Sequence, residues 1–549
     1  MTSQAPASRT MGALLREMAA RYGDRPAIAF EGRQISFAEL DTTVDRWARS
    51  LLACGIEQGQ SVSVLAGNRP EWLYAAMASA RIGAVLVPLN TWHRADELGY
   101  VLEHGDVKIA FCTDRLRSTD YAQILAEAVP AATRRPSKDS CLDEPSLPCL
   151  ERVIELGPHR LPGAETLRHF LTRADSVPVA ELHAAEAAVS DDDLLYLIYT
   201  SGSTARPKGV LLEHGHLIDN TFHIGERQGI TCEDRSFLAT PLFYGLGLLQ
   251  AVGATWTHGG CVVLMEVYEP GAALRVLESE RCTAFYGLGN MTRSLVEHPA
   301  WGKHRVNLTK GVLGLTAVDK SLAHDTLGLT QGTAIYGLTE SYGLCAAGDW
   351  SDSFERARDT IGRPLPGWEI KVADPVTDEE LSQGAVGQIL IRGHATRGYH
   401  KDPQRNKDTF TSDGYFRTGD LASFTADGDL VFHSRLSEMM KPGGINVSPL
   451  EVELIIARLD AVREVHVVGV PHPQLGDRIV AFVDADPARL SAEDVTRHVR
   501  SAAAKYKTPH HVIFRDAAEL PRVASGKVPK AALREIARRE IGLGLSERP

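Results

Sequence analysis

A chain of 549 residues with 44% apolar content exceeds what one hydrophobic core holds, so two or more domains are expected. Its 59 basic and 70 acidic residues leave a formal net charge of −11, which argues against a broad nucleic-acid-binding face. Apolar runs such as 82–89 are too short to span a bilayer and the first ten residues lack a charged, then apolar, leader, so no transmembrane segment is expected and a cytoplasmic location is the default. Cys54, Cys112, Cys141, Cys149, Cys232, Cys261, Cys282 and Cys345 show no Cys-x-x-Cys spacing and read as reduced structural thiols rather than a disulfide or zinc framework.

Residues 11–130 alternate helical patterns with short β-rich runs. Ser36-Phe-Ala-Glu39 predicts a capping box opening a helix to about Cys54, and Ser61–Leu65 predicts a strand. The segment Arg134–Pro148 carries Pro136, Ser137, Ser140, Pro145, Ser146 and Pro148, a turn-rich composition expected of a mobile surface insertion. Asp191–Asp349 reads as a second α/β stretch, and Ile361–Phe432 as short strands broken by Gly and Asp turns. From Pro449 the pattern becomes helix Leu450–Leu459, strand Val465–Val470, strand Ile479–Val483 and helix Ala492–Lys505. The fold class is therefore α/β: a large N-terminal domain of α/β layers with a β-rich subdomain, followed by a small α+β C-terminal domain.

The chemistry begins at Tyr199-Thr-Ser-Gly-Ser-Thr-Ala-Arg-Pro-Lys-Gly209. The preceding Leu194–Tyr199 reads as a buried strand, so the glycines and hydroxyls fall on the loop leaving its carboxyl end. Backbone N–H groups, hydroxyls and an ammonium on such a loop suit a polyphosphate. The spacing is not that of a Walker A loop. A Ser/Thr/Gly composition alone would be a solvated linker; the Pro207-Lys208-Gly209 ending favours phosphate binding.

Four further motifs follow in order: Tyr336-Gly-Leu-Thr-Glu340; Gly414-Tyr-Phe-Arg-Thr-Gly-Asp-Leu421; Arg435 with Lys441-Pro-Gly-Gly-Ile-Asn-Val-Ser-Pro449; and Leu520-Pro-Arg-Val-Ala-Ser-Gly-Lys527. Together with the first loop they resemble the ordered signatures of the adenylate-forming superfamily, which holds acyl-CoA synthetases, luciferases and the adenylation domains of nonribosomal peptide synthetases. The resemblance runs from about Met11 to about Ile541 and is most like an acyl-CoA synthetase. It implies that Thr200, Ser201, Gly202, Ser203, Thr204 and Lys208 hold the β- and γ-phosphates of ATP, that Tyr336 lies near adenine and Thr339 near the α-phosphate, and that Glu340 is the ligand of Mg²⁺. It implies ribose contacts for Asp420 and Arg435, and for Lys527 the adenylation step, bridging the substrate carboxylate and the α-phosphate. It also implies a division into residues 1–436 and a mobile 437–549 that rotates between half-reactions about Ser437, bringing Gly443 and Gly444 to the path of a thiol. Ala205 departs from the usual glycine, and Ser437 from the usual Asp or Lys.

The acid pocket departs furthest from the family pattern. Tyr244 stands where His is common, Asn290 falls in Tyr286-Gly-Leu-Gly-Asn-Met291, Thr316 in Gly314-Leu-Thr-Ala-Val318, and His216 stands where Asn is frequent. Two readings follow: drift in a lineage using a different acid, or a hydrogen-bonding site for a small or polar one. The expected activity is an AMP-forming acid–CoA ligase, with ATP and Mg²⁺ as cofactors and CoA as co-substrate. The alternative is an adenylate-forming ligase serving an amine or a carrier protein; such a carrier must act in trans. A nucleotide-binding protein without catalysis is the second rival, and a luciferase-type oxygenase finds no motif in its favour.

Overall fold

The computed structural model describes residues 4–134, 141–200, 206–442, 445, 447–472, 476–486, 489–522 and 528–541. The chain divides into two compact units, Met1–Glu369 with Ile391–Phe416, and Ile370–Leu390 with Arg417–Pro549. The 436/437 boundary expected from sequence falls inside the second unit, between strand Leu430–Arg435 and helix Pro449–Ile456.

Two sheets organise the first unit. The seven-stranded one runs Lys208–Glu213, Leu194–Thr200, Val85–Pro88, Ser61–Leu65, Val107–Cys112, Arg152–Glu155, Glu165–Thr166. Its neighbours are parallel except the first pair, an antiparallel hairpin at the sheet edge. Parallel strands covered on both faces read as unbroken apolar runs, and Ser61–Leu65 is buried at every position. The six-stranded sheet runs Lys310–Gly311, Ala284–Tyr286, Arg235–Leu238, Cys261–Leu264, Pro26–Phe30, Arg33–Ser36, parallel up to a final antiparallel pair.

Helix Phe37–Ala53 buries Phe37, Leu40, Val44, Trp47 and Leu51, one face of a 3.6-residue period. Ser36 caps it, its hydroxyl accepting from the Glu39 N–H at 3.1 Å, while the Glu39 carboxylate takes Arg33 as its partner. Of the expected surface insertion Arg134–Pro148, residues 134, 141, 143, 145, 146 and 148 are exposed. Residues 135–140 lie outside the described residues, but Leu147 and Leu150 are buried in the core beside the seven-stranded sheet and Ala131 N–H donates to Glu144 Oε2 at 2.9 Å. Apolar burial at these leucines ties residues 141–150 to the domain despite their turn-rich composition.

In the second unit, strand Val462–His472 pairs antiparallel with Gly476–Ala485, which pairs parallel with His511–Phe514. The two-residue period sends Val467, Ile479, Ala481 and Val483 to one core, under helices Pro449–Ile456 and Ala492–Ala502, and Val468, Val470, Val480 and Phe482 to another, under helix Lys530–Glu540. Strand His511–Phe514 and helix Lys530–Glu540 complete the α+β pattern read from sequence. All eight cysteines are free thiols, and burial pushes Cys54 and Cys261 up to about 11. No helix among the described residues is long and apolar enough to cross a membrane.

Candidate active site

The phosphate-loop hairpin starts where sequence placed it. Strand Leu194–Thr200 pairs antiparallel with Lys208–Glu213, setting Thr200 opposite Lys208. Ser201, Gly202, Ser203, Thr204 and Ala205 lie outside the described residues. Thr200 Oγ1 is buried without a hydrogen-bond partner. An unpaired buried hydroxyl costs about 1–3 kcal/mol, a cost that a ligand oxygen at this position would relieve.

Across from it, strand Ile335–Tyr336 pairs antiparallel with Ala346–Ala347, and the chain turns between them through Gly337–Cys345. A Cβ on Gly337 would stand 2.1 Å from the Gly343 carbonyl, so only glycine lets the two passes of the turn approach this closely. Residues Thr339–Ser341 form one 3₁₀ turn that ends at Tyr342 in the left-handed region, φ 53°. Asn220 Nδ2 donates to the carbonyls of Ser341, Tyr342 and Leu344 at 3.2, 3.1 and 2.8 Å, and its Oδ1 accepts from Trp368 Nε1 at 2.8 Å. The buried amide thereby holds the motif loop from behind. Tyr336 and Glu340 are buried, Thr339 half-buried.

Lys208 and Glu340 meet. Lys208 Nζ lies 2.8 Å from Glu340 Oε1 and donates at 2.8 Å to the hydroxyl of Tyr399, which itself donates to Glu340 Oε1 at 2.8 Å. The ammonium also stands 4.3 Å from the centroid of the Tyr399 ring, within cation–π range. Burial, and then the Glu340 carboxylate, push the Tyr399 phenol well above its ordinary value, so it stays a proton donor. Tyr399, Asn220 and Trp368 were not singled out by sequence reasoning. No local pattern around Tyr399 indicates a partner 191 positions away.

The four acid-pocket candidates fall in three places. Tyr244 packs its ring against Trp92 at 5.4 Å and Phe243 at 4.8 Å. The next residue adjoins the nucleotide motif, since a Cβ on Gly245 would stand 3.9 Å from Thr339 Oγ1. Asn290 and Thr316 are exposed. A Cβ on Gly289, the residue before Asn290, would stand 2.3 Å from Asp319 Cγ, and Thr316 caps helix Ala317–Ser321, donating to Asp319 Oδ2 at 2.9 Å and accepting from its N–H at 3.1 Å. With its hydroxyl so engaged, Thr316 acts here as a helix cap. His216 packs against the rings of Tyr342 and His394 at 5.7 and 5.1 Å, beside Glu213; burial lowers the pKa of both imidazoles, that of His394 to about 4.

In the second unit, Asp420 and Arg435 are directly opposed across strands Phe416–Phe424 and Leu430–Arg435, with Arg435 Nε 3.4 Å from Asp420 Oδ1. Asp420 is buried and its N–H donates to Thr418 Oγ1 at 3.1 Å, while Arg435 remains half exposed. Gly443, Gly444 and Lys527 lie outside the described residues. The described flanks of Lys527 are anchored: Leu520 and Val528 are buried with Val468, Val470 and Leu533.

A family model described as AMP-binding enzyme matches residues 15–400, and one described as AMP-binding enzyme C-terminal domain matches residues 451–527. The chain is an AMP-binding enzyme. As such it is an AMP-forming ligase, and the resemblance and α/β fold expected from the ordered motifs are borne out. This AMP-binding enzyme is 32% identical over 534 residues to "Putative acyl-CoA synthetase YngI" of Bacillus subtilis, with 96% of each chain covered. It is 31% identical over 536 residues to the "3-[(3aS,4S,7aS)-7a-methyl-1,5-dioxo-octahydro-1H-inden-4-yl]propanoyl:CoA ligase" of Rhodococcus jostii, covering 96% of this chain and 98% of that one. Among solved structures it is similar to ATP-bound MatB from Rhodopseudomonas palustris, with a TM-score of 0.81 and 28% identity over 96% of this chain and 99% of that one.

Proposed function

We propose that this enzyme activates a carboxylic acid with ATP as an acyl-adenylate and passes the acyl group to the thiol of coenzyme A. The supporting observation is the meeting of Lys208 and Glu340, 132 positions apart, as a largely buried pair, with Lys208 on the hairpin that also carries the unpartnered hydroxyl of Thr200. Two such motifs converging on one charge pair fit a site for a metal-bound polyphosphate. In the first half-reaction a carboxylate oxygen bonds to the α-phosphorus, the bridge to the β-phosphate breaks and pyrophosphate leaves. Thr200, Lys208 and residues 201–204 neutralise the departing phosphates, Thr339 orients the α-phosphate, and Lys527 draws the two approaching anions together. Tyr336 contacts the base, and Asp420 with Arg435 the ribose.

The donor set at Glu340 suits Mg²⁺, which is commonly held by one or two carboxylates with substrate phosphates and water. When bound, Mg²⁺ supplies charge neutralisation for the polyphosphate. In the second half-reaction the thiol gives up its proton, its sulfur attacks the acyl carbon and AMP leaves. Residues 437–549 reorient about Ser437 for this step, and Gly443 and Gly444 line the thiol's path. The curated relatives named for CoA ligation support CoA as the acceptor.

The test is pyrophosphate release screened over a panel of acids with and without CoA, with acyl-AMP and acyl-CoA followed separately by mass spectrometry. Acid-dependent release with thioester formed is expected, and Gly444→Trp should keep acyl-AMP while losing the thioester. An adenylate that never becomes a thioester would instead assign an amine or carrier-protein acceptor.

A further inference from the structure

Lys208 faces two anionic partners, the Glu340 carboxylate it touches and the polyphosphate it is read to bind. The lysine sits on a flexible four-carbon stem with a fifth of its side chain exposed, so it can turn outward to phosphate oxygens. Tyr399 has no such freedom. Its side chain is buried, and its backbone is held on both sides by Asn406, whose Oδ1 accepts from the Tyr399 N–H at 2.7 Å and whose Nδ2 donates to the Tyr399 carbonyl at 3.0 Å.

The same segment is stitched to both motifs. Leu211 N–H donates to the Gly398 carbonyl at 3.1 Å and His400 N–H to the Gly209 carbonyl at 2.8 Å, which fixes the segment along the strand carrying Lys208. Thr396 N–H donates to the carbonyl of Glu340 itself at 2.8 Å. The phenol is therefore built into the backbone framework of both charged residues, whereas the lysine is only a side-chain visitor. We propose that Tyr399 is a positioning residue that keeps the Glu340 carboxylate aimed at the metal once Lys208 has left it for the phosphates. The Lys208 ammonium stands at Glu340 where the metal's charge would stand, and loading exchanges one cation for another while the hydrogen bond from Tyr399 to Glu340 persists. The inference rests on the reading of Glu340 as metal ligand and Lys208 as phosphate ligand.

The test is calorimetric binding of a non-hydrolysable ATP analogue to the full chain, with Mg²⁺ or with EDTA. Wild type should bind more tightly with Mg²⁺. Tyr399→Phe keeps the ring and its packing and removes only the hydroxyl; a hydrogen bond to a charged group of this kind predicts an affinity about tenfold weaker with Mg²⁺, with EDTA values within about twofold of wild type. A merely structural hydroxyl would lower the unfolding midpoint and weaken both values together. Tyr399→Phe retaining the full Mg²⁺ response overturns the inference while leaving the metal reading intact. A wild type indifferent to Mg²⁺ overturns the metal reading and this inference with it. If the phenylalanine variant does not fold, Lys208→Met decides. Glu340 held by Tyr399 alone should keep its ratio of Mg²⁺ to EDTA affinity, and loss of that ratio overturns the assignment.

Discussion

Replacing Asp420 with asparagine removes one negative charge and keeps the shape of the side chain, which separates two roles the geometry allows. As a structural ion pair, Asp420 contributes little: its contact to Arg435 is 3.4 Å long and the guanidinium is half exposed. A pair so open to solvent stabilises the fold by no more than about 0.5 kcal/mol, and the unfolding midpoint should move by less than about 2 °C. As the acceptor for ribose hydroxyls the same carboxylate is buried and charged, where a hydrogen bond contributes about 1.5–3 kcal/mol. That predicts an ATP dissociation constant raised by about tenfold to a hundredfold, against a nearly unchanged fold. Calorimetry with ATP and with AMP sharpens the test, because AMP keeps the ribose and lacks the β- and γ-phosphates: both ligands should lose the same factor. An unchanged AMP affinity in folded Asp420→Asn would refute the ribose assignment, and a loss confined to ATP would mean that Asp420 acts on the polyphosphate.

Lys527→Ala should abolish acid-dependent pyrophosphate release while ATP affinity stays within about twofold; near-normal release from the variant contradicts the bridging role. Arg81 is fully buried, 2.5 Å from both Asp41 and Asp45 and 3.7 Å from Glu186, and Arg16 pairs with the same three carboxylates, so Arg81→Met should cost about 1–3 kcal/mol in urea unfolding, and a cost above about 4 kcal/mol would show that Arg16 alone does not hold them. His214 is buried, its Nδ1 accepts from the Met11 N–H at 3.1 Å, and burial lowers its pKa from 6.5 to about 4. The folded protein thus keeps this imidazole neutral while the unfolded chain takes up its proton first. Its contribution is complete above pH 6.5 and declines by about 1.4 kcal/mol per pH unit as pH falls toward 4. Urea midpoints of His214→Gln measured across that window should show a shallower pH slope than wild type, and an identical slope would place the titration elsewhere.

The nucleotide chemistry was legible because it is written in short local runs. A phosphate loop must follow a strand directly, and Leu194–Thr200 carries that strand in its apolar residues; the Tyr336–Glu340 and Gly414–Leu421 motifs keep their chemistry within eight residues or fewer. The strands of the α+β tail follow from their apolar runs, since burial on two faces makes Val467–Val470 apolar at every position. Composition marked the exposed turns of Arg134–Pro148 but not the burial of Leu147, which ties them to the packing.

What the sequence determined by itself is the set of groups that handle a nucleotide and their order. What only the tertiary structure decided is which groups share a proton, a charge or a backbone contact. Lys208, Glu340 and Tyr399 sit on three separate stretches, and their triangle exists because the Thr396–His400 segment is stitched both to the hairpin strand and to the Glu340 carbonyl. The engagement of Thr316 with Asp319 is likewise invisible in a residue type that suits a helix cap and a substrate contact equally well. Local motifs survive because their geometry is set within a few bonds. Contacts between distant segments depend on how the whole chain excludes water, and one sequence read linearly does not carry that information.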